Sequence, residues 1–423
     1  MKSNYKRLGQ YIREVSEKNT REAIDKLLGV SISKEFIPSI ANTIGTDMSK
    51  YKIVRTNQFA YGPVTSRNGD KISVALLQES DCIISTSYTV FEIHEPDEML
   101  PEYLMMWFRR PEFDRYARFM SHGSVREIFG WEEMCDVELP VPTPEKQQQI
   151  VDEYNTIVNR IKLNEKLCKK LEETAQSIYK HGFVDFEFPI SAEYAKSIGK
   201  PELEGKPYKS SGGEMVYNAE LDQEIPLGWR YESYTSIIDL KGGGTPSTDI
   251  KDYWDGDIPF FTPKDVGNTI YTVRTEKYIT KLGFAKSSTK LYGKNTVFIT
   301  ARGTVGALSL PITEMAMNQS CYAAIGKNGI GQFFVHQHTA MMLYTLINEA
   351  NGGVFGALVT KDFDGSDVII PKNDIIKLFE ETVSSIYESL ENVSIELTLL
   401  AELKNTILSK MTMVCENCEV VYE

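Results

Sequence analysis

One offset, 229 residues, lays the back of this chain's first half over the back of its second. Residues 144–182 carry an apolar seam of Ile150, Tyr154, Ile157, Ile161, Asn164, Cys168, Leu171, Ala175 and Ile178. Residues 372–411 carry another, of Phe379, Val383, Ile386, Leu390, Val393, Leu397, Leu400, Lys404, Ile407 and Met411. Steps of four and three alternate along both, which is the 3.5-residue period of coiled coils. The offset carries Ile150 onto Phe379, Ile178 onto Ile407, Pro142 onto Pro371 and Gly123 onto Gly352. Two unrelated amphipathic helices have no reason to share proline and glycine punctuation, so the pattern reads as duplication of one unit, a globular domain followed by a long helix. A polar residue in a seam, here Asn164, fixes register at some cost in stability, whereas Lys404 can lift its ammonium into water on its stem.

The globular halves repeat an order of strands, glycine turn, helix and proline-ended strand. In the first, residues 51–62, 72–78 and 82–93 read as strands and 102–120 as an amphipathic helix. In the second, residues 294–311 and 317–326 read as strands and 332–349 as a helix. The expected fold is therefore α+β: two mixed α/β domains separated by two long antiparallel coiled-coil helices, related by an internal pseudo-twofold. The boundaries are 1–143 and 226–371 for the domains, 144–182 and 372–411 for the helices, 183–225 for a polar acidic connector and 412–423 for an acidic tail.

A net charge of −13 argues at first against a polyanionic partner, but its distribution matters more than its sum. Residues 183–225 hold nine acidic side chains against four lysines. The segment 372–411 holds seven against four, and the tail adds Glu416, Glu419 and Glu423, so these three segments carry nearly all of the excess. Lys277, Lys281, Lys286, Lys290, Lys294 and Arg302 lie in a stretch with no acid, as do Lys50, Lys52, Arg55 and Arg67. No apolar run reaches the roughly 18–20 residues of a membrane helix, and the charged opening residues lack the apolar core of a signal peptide. The six cysteines are sparse and sit mostly in apolar stretches, which fits reduced thiols in a cytoplasmic protein.

Catalytic motifs are missing. There is no GxxxxGK[ST] loop, GxSxG elbow or HExxH pair. Gly242-Gly243-Gly244 runs into Thr245-Pro246, where a phosphate-binding helix would need backbone donors, so a turn is expected. His336 and His338 alternate on a helix and point apart, which opposes a metal pair. Cys415 and Cys418 have ligand spacing but no second pair nearby. No catalytic or metal residue is assigned.

The second half carries a more specific pattern: Gly244-Thr245-Pro246-Ser247-Thr248, Tyr253-Trp254 with Gly256 and Ile258-Pro259, Thr262-Pro263-Lys264-Asp265, Arg302-Gly303-Thr304-Val305-Gly306 and Asn318-Gln319-Ser320. These segments, in this order, resemble the target-recognition domain of the DNA-specificity subunit of type I restriction–modification systems. The long helices resemble the family's spacer regions, so the resemblance spans nearly the whole chain. The first half departs from it, with Tyr61-Gly62-Pro63 and Ile84-Ser85-Thr86-Ser87-Tyr88 at the corresponding places.

The resemblance implies a non-catalytic subunit of a host-defence complex that binds double-stranded DNA at a split, asymmetric sequence, one half per domain. It implies two modification subunits that methylate adenine with S-adenosylmethionine, and restriction subunits that use ATP and magnesium to translocate and cut. No cofactor is expected on this chain itself, and no membrane.

Reading DNA takes Lys and Arg on phosphates and Arg, Asn, Gln, Ser or Thr on base edges. On those grounds the candidates are Lys34, Arg55, Arg67, Ser85, Thr86 and Arg126 in the first domain. In the second they are Lys264, Lys286, Ser287, Ser288, Lys290, Arg302, Asn318 and Gln319. Aromatics such as Trp254, Phe260 and Phe261 read as core. The helices act as a ruler: 28 residues from Ile150 to Ile178 span about 42 Å, or roughly a dozen base pairs. Two rival readings are a duplicated coiled-coil scaffold that binds proteins and a methyltransferase with its own recognition domain. The acidic total favours the first; the absent cofactor loop opposes the second.

Overall fold

The computed structural model describes residues 5–39, 46–66, 68–123, 126–349 and 356–413; Arg67, Gly352, Cys415 and Cys418 lie outside them. The chain divides into two units, Met1–Ile161 with Leu400–Glu423, and Lys162–Leu399. Each contains one globular head and a part of each long helix.

Both heads are built on the same antiparallel sheet. In the first unit the strands run, across the sheet, Ile12–Val15, Thr89–Ile93, Phe59–Tyr61 and Val74–Leu76. In the second they run Ile238–Gly242, Cys321–Gly326, Val297–Thr300 and Leu308–Pro311, with Tyr271–Thr272 added in parallel at the edge. The order along the chain (first, fourth, second, third) is the same in both. A second, smaller antiparallel pair also recurs: Tyr5–Arg7 with Glu138–Pro140, and Arg230–Ser233 with Asp367–Ile370. Adding 229 to Trp131–Cys135 gives the helix Thr360–Asp364, and adding it to Pro144, where the first long helix starts, gives Asn373, where the second starts. The duplication seen in the seams therefore extends through the heads.

Local chemistry cuts several expected elements shorter. The helix expected over 102–120 is two, Pro101–Phe108 and Pro111–Met120. Pro111 has no N–H to donate and pushes Arg110 out of the helical region, so the first helix stops there. Residues 51–62 form two strands around a turn in which Asn57 takes φ 69°. Residues 82–93 likewise split at a turn where Tyr88 N–H donates to Ser85 O. The first head's core packs Phe59 in a stack on Phe91 at 4.8 Å and edge-on to Phe108 at 5.9 Å; aromatic pairs of this kind add about 0.5–1.5 kcal/mol beyond their burial.

The long helices are Pro144–Tyr179, 36 residues or about 54 Å, and Asn373–Lys410, 38 residues or about 57 Å. Within the first unit the start of the first helix (Ile150, Val151, Tyr154) shares a core with the end of the second (Leu408, Met411). Within the second unit the end of the first (Cys168, Ala175, Tyr179) packs with the start of the second (Phe379, Val383, Leu390, Val393). In each unit, then, the pair runs antiparallel. Ile150, Ile157, Asn164, Phe379 and Leu390 are buried, and Ile161, Leu171, Ile178, Ile386, Leu397, Leu400 and Ile407 are half-buried. Among the described residues the Asn164 side-chain nitrogen has no hydrogen-bond partner, although Asn164 is only 2% exposed. Asn164→Leu is accordingly expected to raise the stability of the second unit by about 1–2 kcal/mol. Thermal denaturation checks this; a lower melting temperature would mean that the amide is satisfied in solution.

Residues 183–225, expected as a polar connector, are folded into the second unit. A π turn, Lys180–Val184, leads into alternating apolar positions, and Phe183, Phe186, Phe188, Tyr208 and Ile225 join its core. Phe188 lies between stacked Tyr208 (4.5 Å) and Trp229 (4.9 Å). Of its acidic side chains, Asp185 and Glu187 are half-buried, and the other seven are exposed on the outside of this wrap.

The helix Gln332–Glu349 fastens the second head to both long helices. His336 Nδ1 meets Tyr387 Oη at 2.8 Å, and Gln337 Nε2 donates to the same oxygen at 2.9 Å. His338 Nδ1 meets Tyr179 Oη at 3.0 Å, so the two histidines do point apart, one to each long helix. The Glu380 carboxylate receives the Phe334 N–H at 2.7 Å and the Phe333 N–H at 3.4 Å, capping the head helix from the second long helix.

Candidate nucleic-acid interface

The sheet topology of the second head delivers the predicted segments to one edge. Thr300 pairs with Cys321, and Gly242 with Tyr322, so the strand Val297–Thr300 and the strand Ile238–Gly242 both end where Cys321–Gly326 begins. The strand Trp254–Phe261 runs parallel to Met315–Met317, with Phe261 opposite Met317, so these two also end together. Four loops leave this edge: 243–248, 262–265, 301–307 and 318–320.

Each loop is fixed by local chemistry. Thr262 and Asp265 cap the short turn Pro263–Asp265, Thr262 N–H and Oγ1 both donating to Asp265 Oδ2 at 2.7 Å, which leaves Lys264 exposed. Gly303 takes φ 84°, a region costly for any residue with a Cβ, so the turn after Arg302 closes only with glycine there. Ala301 N–H donates to Ser320 O at 2.8 Å, tying the Arg302 loop to the Asn318–Ser320 turn. Thr289, buried, gives its hydroxyl to Met317 O at 2.9 Å and so pins the segment 286–290 beside the same turn. Lys286, Ser288 and Lys290 are exposed around it, while Ser287 Oγ is spent on Phe284 O at 3.2 Å. Gly244 approaches so closely that an added Cβ would stand 2.2 Å from Ser288 Oγ and 2.6 Å from Thr289 N. Lys264, Lys286, Ser288, Lys290, Arg302, Asn318 and Gln319 thus sit on loops that leave one edge or are pinned to it. Lys294 does not join them, because it pairs with Glu391 at 2.7 Å. Phe260 and Phe261 are buried, and Trp254 is half-buried with its Nε1 donating to Ser247 O at 3.0 Å.

The first head's candidates do not all converge. Thr89 pairs with Tyr61, so Ser85 and Thr86, just before Thr89, sit at the end of the sheet where the loop after Tyr61 leaves. The segment carrying Arg126 joins the same loop: Thr65 N–H donates to Glu127 O at 3.0 Å, Phe129 N–H to Pro63 O at 2.8 Å, and Arg126 is exposed. Arg55 is elsewhere. It follows Val54, which pairs with Cys82, whereas Ser85 follows Ile84, which pairs with Lys52 at the opposite end of that ladder. Its guanidinium is held by Asp81 at 2.7 Å and by Glu17, two carboxylates that also favour its charged form. Lys34 is buried, its ammonium 2.7 Å from Asp114 Oδ1 and 3.3 Å from Ile72 O, so it braces the loop from beneath and offers no phosphate contact. Burial pulls its pKa below the usual lysine range, the Asp114 partner opposing that shift. Lys52, one of the basic residues of the acid-free stretch though not a contact candidate, supports the turn by donating to Tyr88 O at 2.8 Å.

Burial pushes the Cys82 and Cys168 thiols up to about 11 and the Cys321 thiol up to about 12, which keeps these three in the unreactive thiol form. Among the described residues no group of three or more His, Cys, Asp and Glu side chains is placed to hold a metal, and no helix is long and apolar enough to cross a membrane.

Comparison with known proteins follows the same division. The family model of the type I restriction modification DNA specificity domain matches residues 11–173 and again 226–408, a head and a long helix each time. The chain is 24% identical over 408 residues to the type I restriction enzyme HindI specificity subunit of Haemophilus influenzae, covering 85% of this chain and 86% of that one. It is 23% identical over 333 residues to the type I restriction enzyme MjaIX specificity subunit of Methanocaldococcus jannaschii, covering 78% and 72%. The crystal structure of a type I restriction–modification S subunit from M. genitalium superposes with a TM-score of 0.56 at 12% identity, over 96% of this chain and 95% of that one, a likeness of fold. With its domain model met twice, on two heads of one strand order, the chain belongs to the type I restriction–modification DNA-specificity family, as the non-catalytic subunit that binds DNA by sequence.

Proposed function

We propose that each head reads one half of a split DNA target and that the long helices set the spacer between the halves. The observation that carries this reading is the repeated sheet, which in both heads brings the loop after its second strand in chain order (Phe59–Tyr61, Val297–Thr300) and the turn before its fourth (Thr89–Ile93, Cys321–Gly326) to the same end. The loop chemistries differ, Arg302-Gly303-Thr304 against Gly62-Pro63-Val64, as two different half-sites would require. Two modification subunits dock on the helices. Leu163 and Leu167 on the first helix, and Leu399 and Leu403 on the second, are exposed apolar side chains four residues apart that suit such partners. S-adenosylmethionine, ATP and magnesium belong to the modification and restriction subunits, and the assembly works in the cytoplasm, where its DNA is.

Mapping methylated adenines in cells with and without this chain tests the reading. A split motif that appears only with the chain is expected. Arg302→Ala should then cut discrimination in one half-site by roughly 10- to 100-fold and leave the other intact. A continuous motif, or an effect on both halves, would count against one head per half-site.

A further inference from the structure

Asn318 and Gln319 look equivalent as sequence, yet the fold uses them differently. Asn318 turns inward on its own loop: its side-chain oxygen accepts Ser320 N–H at 3.1 Å and its backbone N–H donates to Phe261 O at 3.0 Å, closing an Asx turn. Gln319 is exposed at the tip of that turn. Its side-chain oxygen accepts the hydroxyl of Thr245, 74 residues away in the chain. Thr245 cannot drift from this position, because Gly244 before it is wedged against Ser288 and Thr289 and donates its N–H to Met317 O at 2.9 Å.

The hydrogen bond has a direction. A threonine hydroxyl can give a proton or take one; here it gives one, and the amide oxygen is the end of Gln319 turned to Thr245. With the oxygen turned to Thr245, the nitrogen and its two N–H donors face away from the loop. Donors match acceptor atoms: guanine N7 and O6, adenine N7 and thymine O4 lie on the major-groove edge, whereas cytosine presents an N4 donor there.

We infer that Thr245 is a positioning residue for sequence reading: it holds Gln319 nitrogen-outward, so that the second head selects, at one position of its half-site, a base that offers an acceptor. This rests on the proposed assignment of one half-site to the second head. Without the hydroxyl the amide turns over freely and presents either end, and the position then tolerates donor bases too.

The test is to map methylated adenines made by the complete complex containing wild-type chain, Thr245→Val, Thr245→Ser or Gln319→Ala. Thr245→Val should lose roughly tenfold in discrimination at one position, with the other half-site and the spacer unchanged. Gln319→Ala should relax that same position, and Thr245→Ser, which keeps the hydroxyl, should restore the wild-type motif. The inference is overturned if Thr245→Val leaves the motif intact, if it relaxes the whole half-site or abolishes methylation, or if Thr245→Ser behaves like Thr245→Val. A wild-type complex that gives no split motif overturns the half-site assignment as well, whereas a split motif indifferent to Thr245→Val overturns this inference alone.

Discussion

The Lys34→Ala variant is expected to lose about 3–5 kcal/mol of stability in the first unit. Lys34 and Asp114 form an ion pair 2.7 Å long in which neither side chain is more than 10% exposed. Asp114 Oδ1 also receives the Ile72 N–H at 3.1 Å, so the pair joins the hairpin tip at 31–35, the loop ending at Ile72 and the helix Pro111–Met120. Removing the ammonium leaves a buried carboxylate with one backbone donor, and that uncompensated charge is the source of the cost. Replacing both partners with apolar residues of similar volume, as in Lys34→Met with Asp114→Leu, should recover most of the loss, since a desolvated pair contributes little net stability against a well-packed apolar one. Chemical denaturation resolves the two cases. A Lys34→Ala variant within 1 kcal/mol of wild type (order of magnitude from the same comparison) would show that the pair is solvated.

Acid should weaken the second unit through His336 and His338. Burial lowers both imidazoles to about 4, whereas in the unfolded chain they protonate near the ordinary imidazole value of 6.5. Because the folded pKa is the depressed one, stability is fully present above pH 6.5 and drains away as pH falls toward 4. Between pH 6.5 and 5 the loss is about 2 kcal/mol for each histidine. Glu380, whose carboxyl burial raises, acts in the opposite sense and offsets part of the loss at the lower end. Melting temperature followed from pH 7 to 5 should therefore fall for wild type and fall much less for a His336→Gln, His338→Gln double variant, which keeps hydrogen-bonding amides but does not titrate. Parallel slopes in the two proteins would refute the assignment.

The parts legible in the sequence were those written twice or written locally. The heptad seams are local patterns, and the offset of 229 gave the long helices and, with the proline punctuation, their starts near Pro144 and Asn373. Strand pairing was not legible, because Ile12–Val15 pairs with Thr89–Ile93 across more than seventy residues and nothing in either segment names the other. The same non-locality misplaced Lys34, whose burial depends on Asp114, 80 positions on. Arg55 was separated from Ser85 by ladder register, which the segments themselves do not encode. The connector's burial has a different signal: beneath its acidic charge, Val184, Phe186, Phe188 and Ile190 repeat at a period of two. Thr245 was visible only as a member of a motif. Its partner Gln319 lies on a distant loop, and the glycine that sets the approach is informative only once the neighbouring strand ends are known.

If helix length measures the DNA, inserting one heptad into both long helices lengthens the spacer. Seven residues add about 10 Å of helix and keep the seam in phase, which corresponds to about three base pairs. Methylated-adenine mapping should return both half-sites unaltered with a spacer longer by that amount. An unchanged spacer, with the insertion confirmed to be helical, would mean that helix length does not set the distance between half-sites.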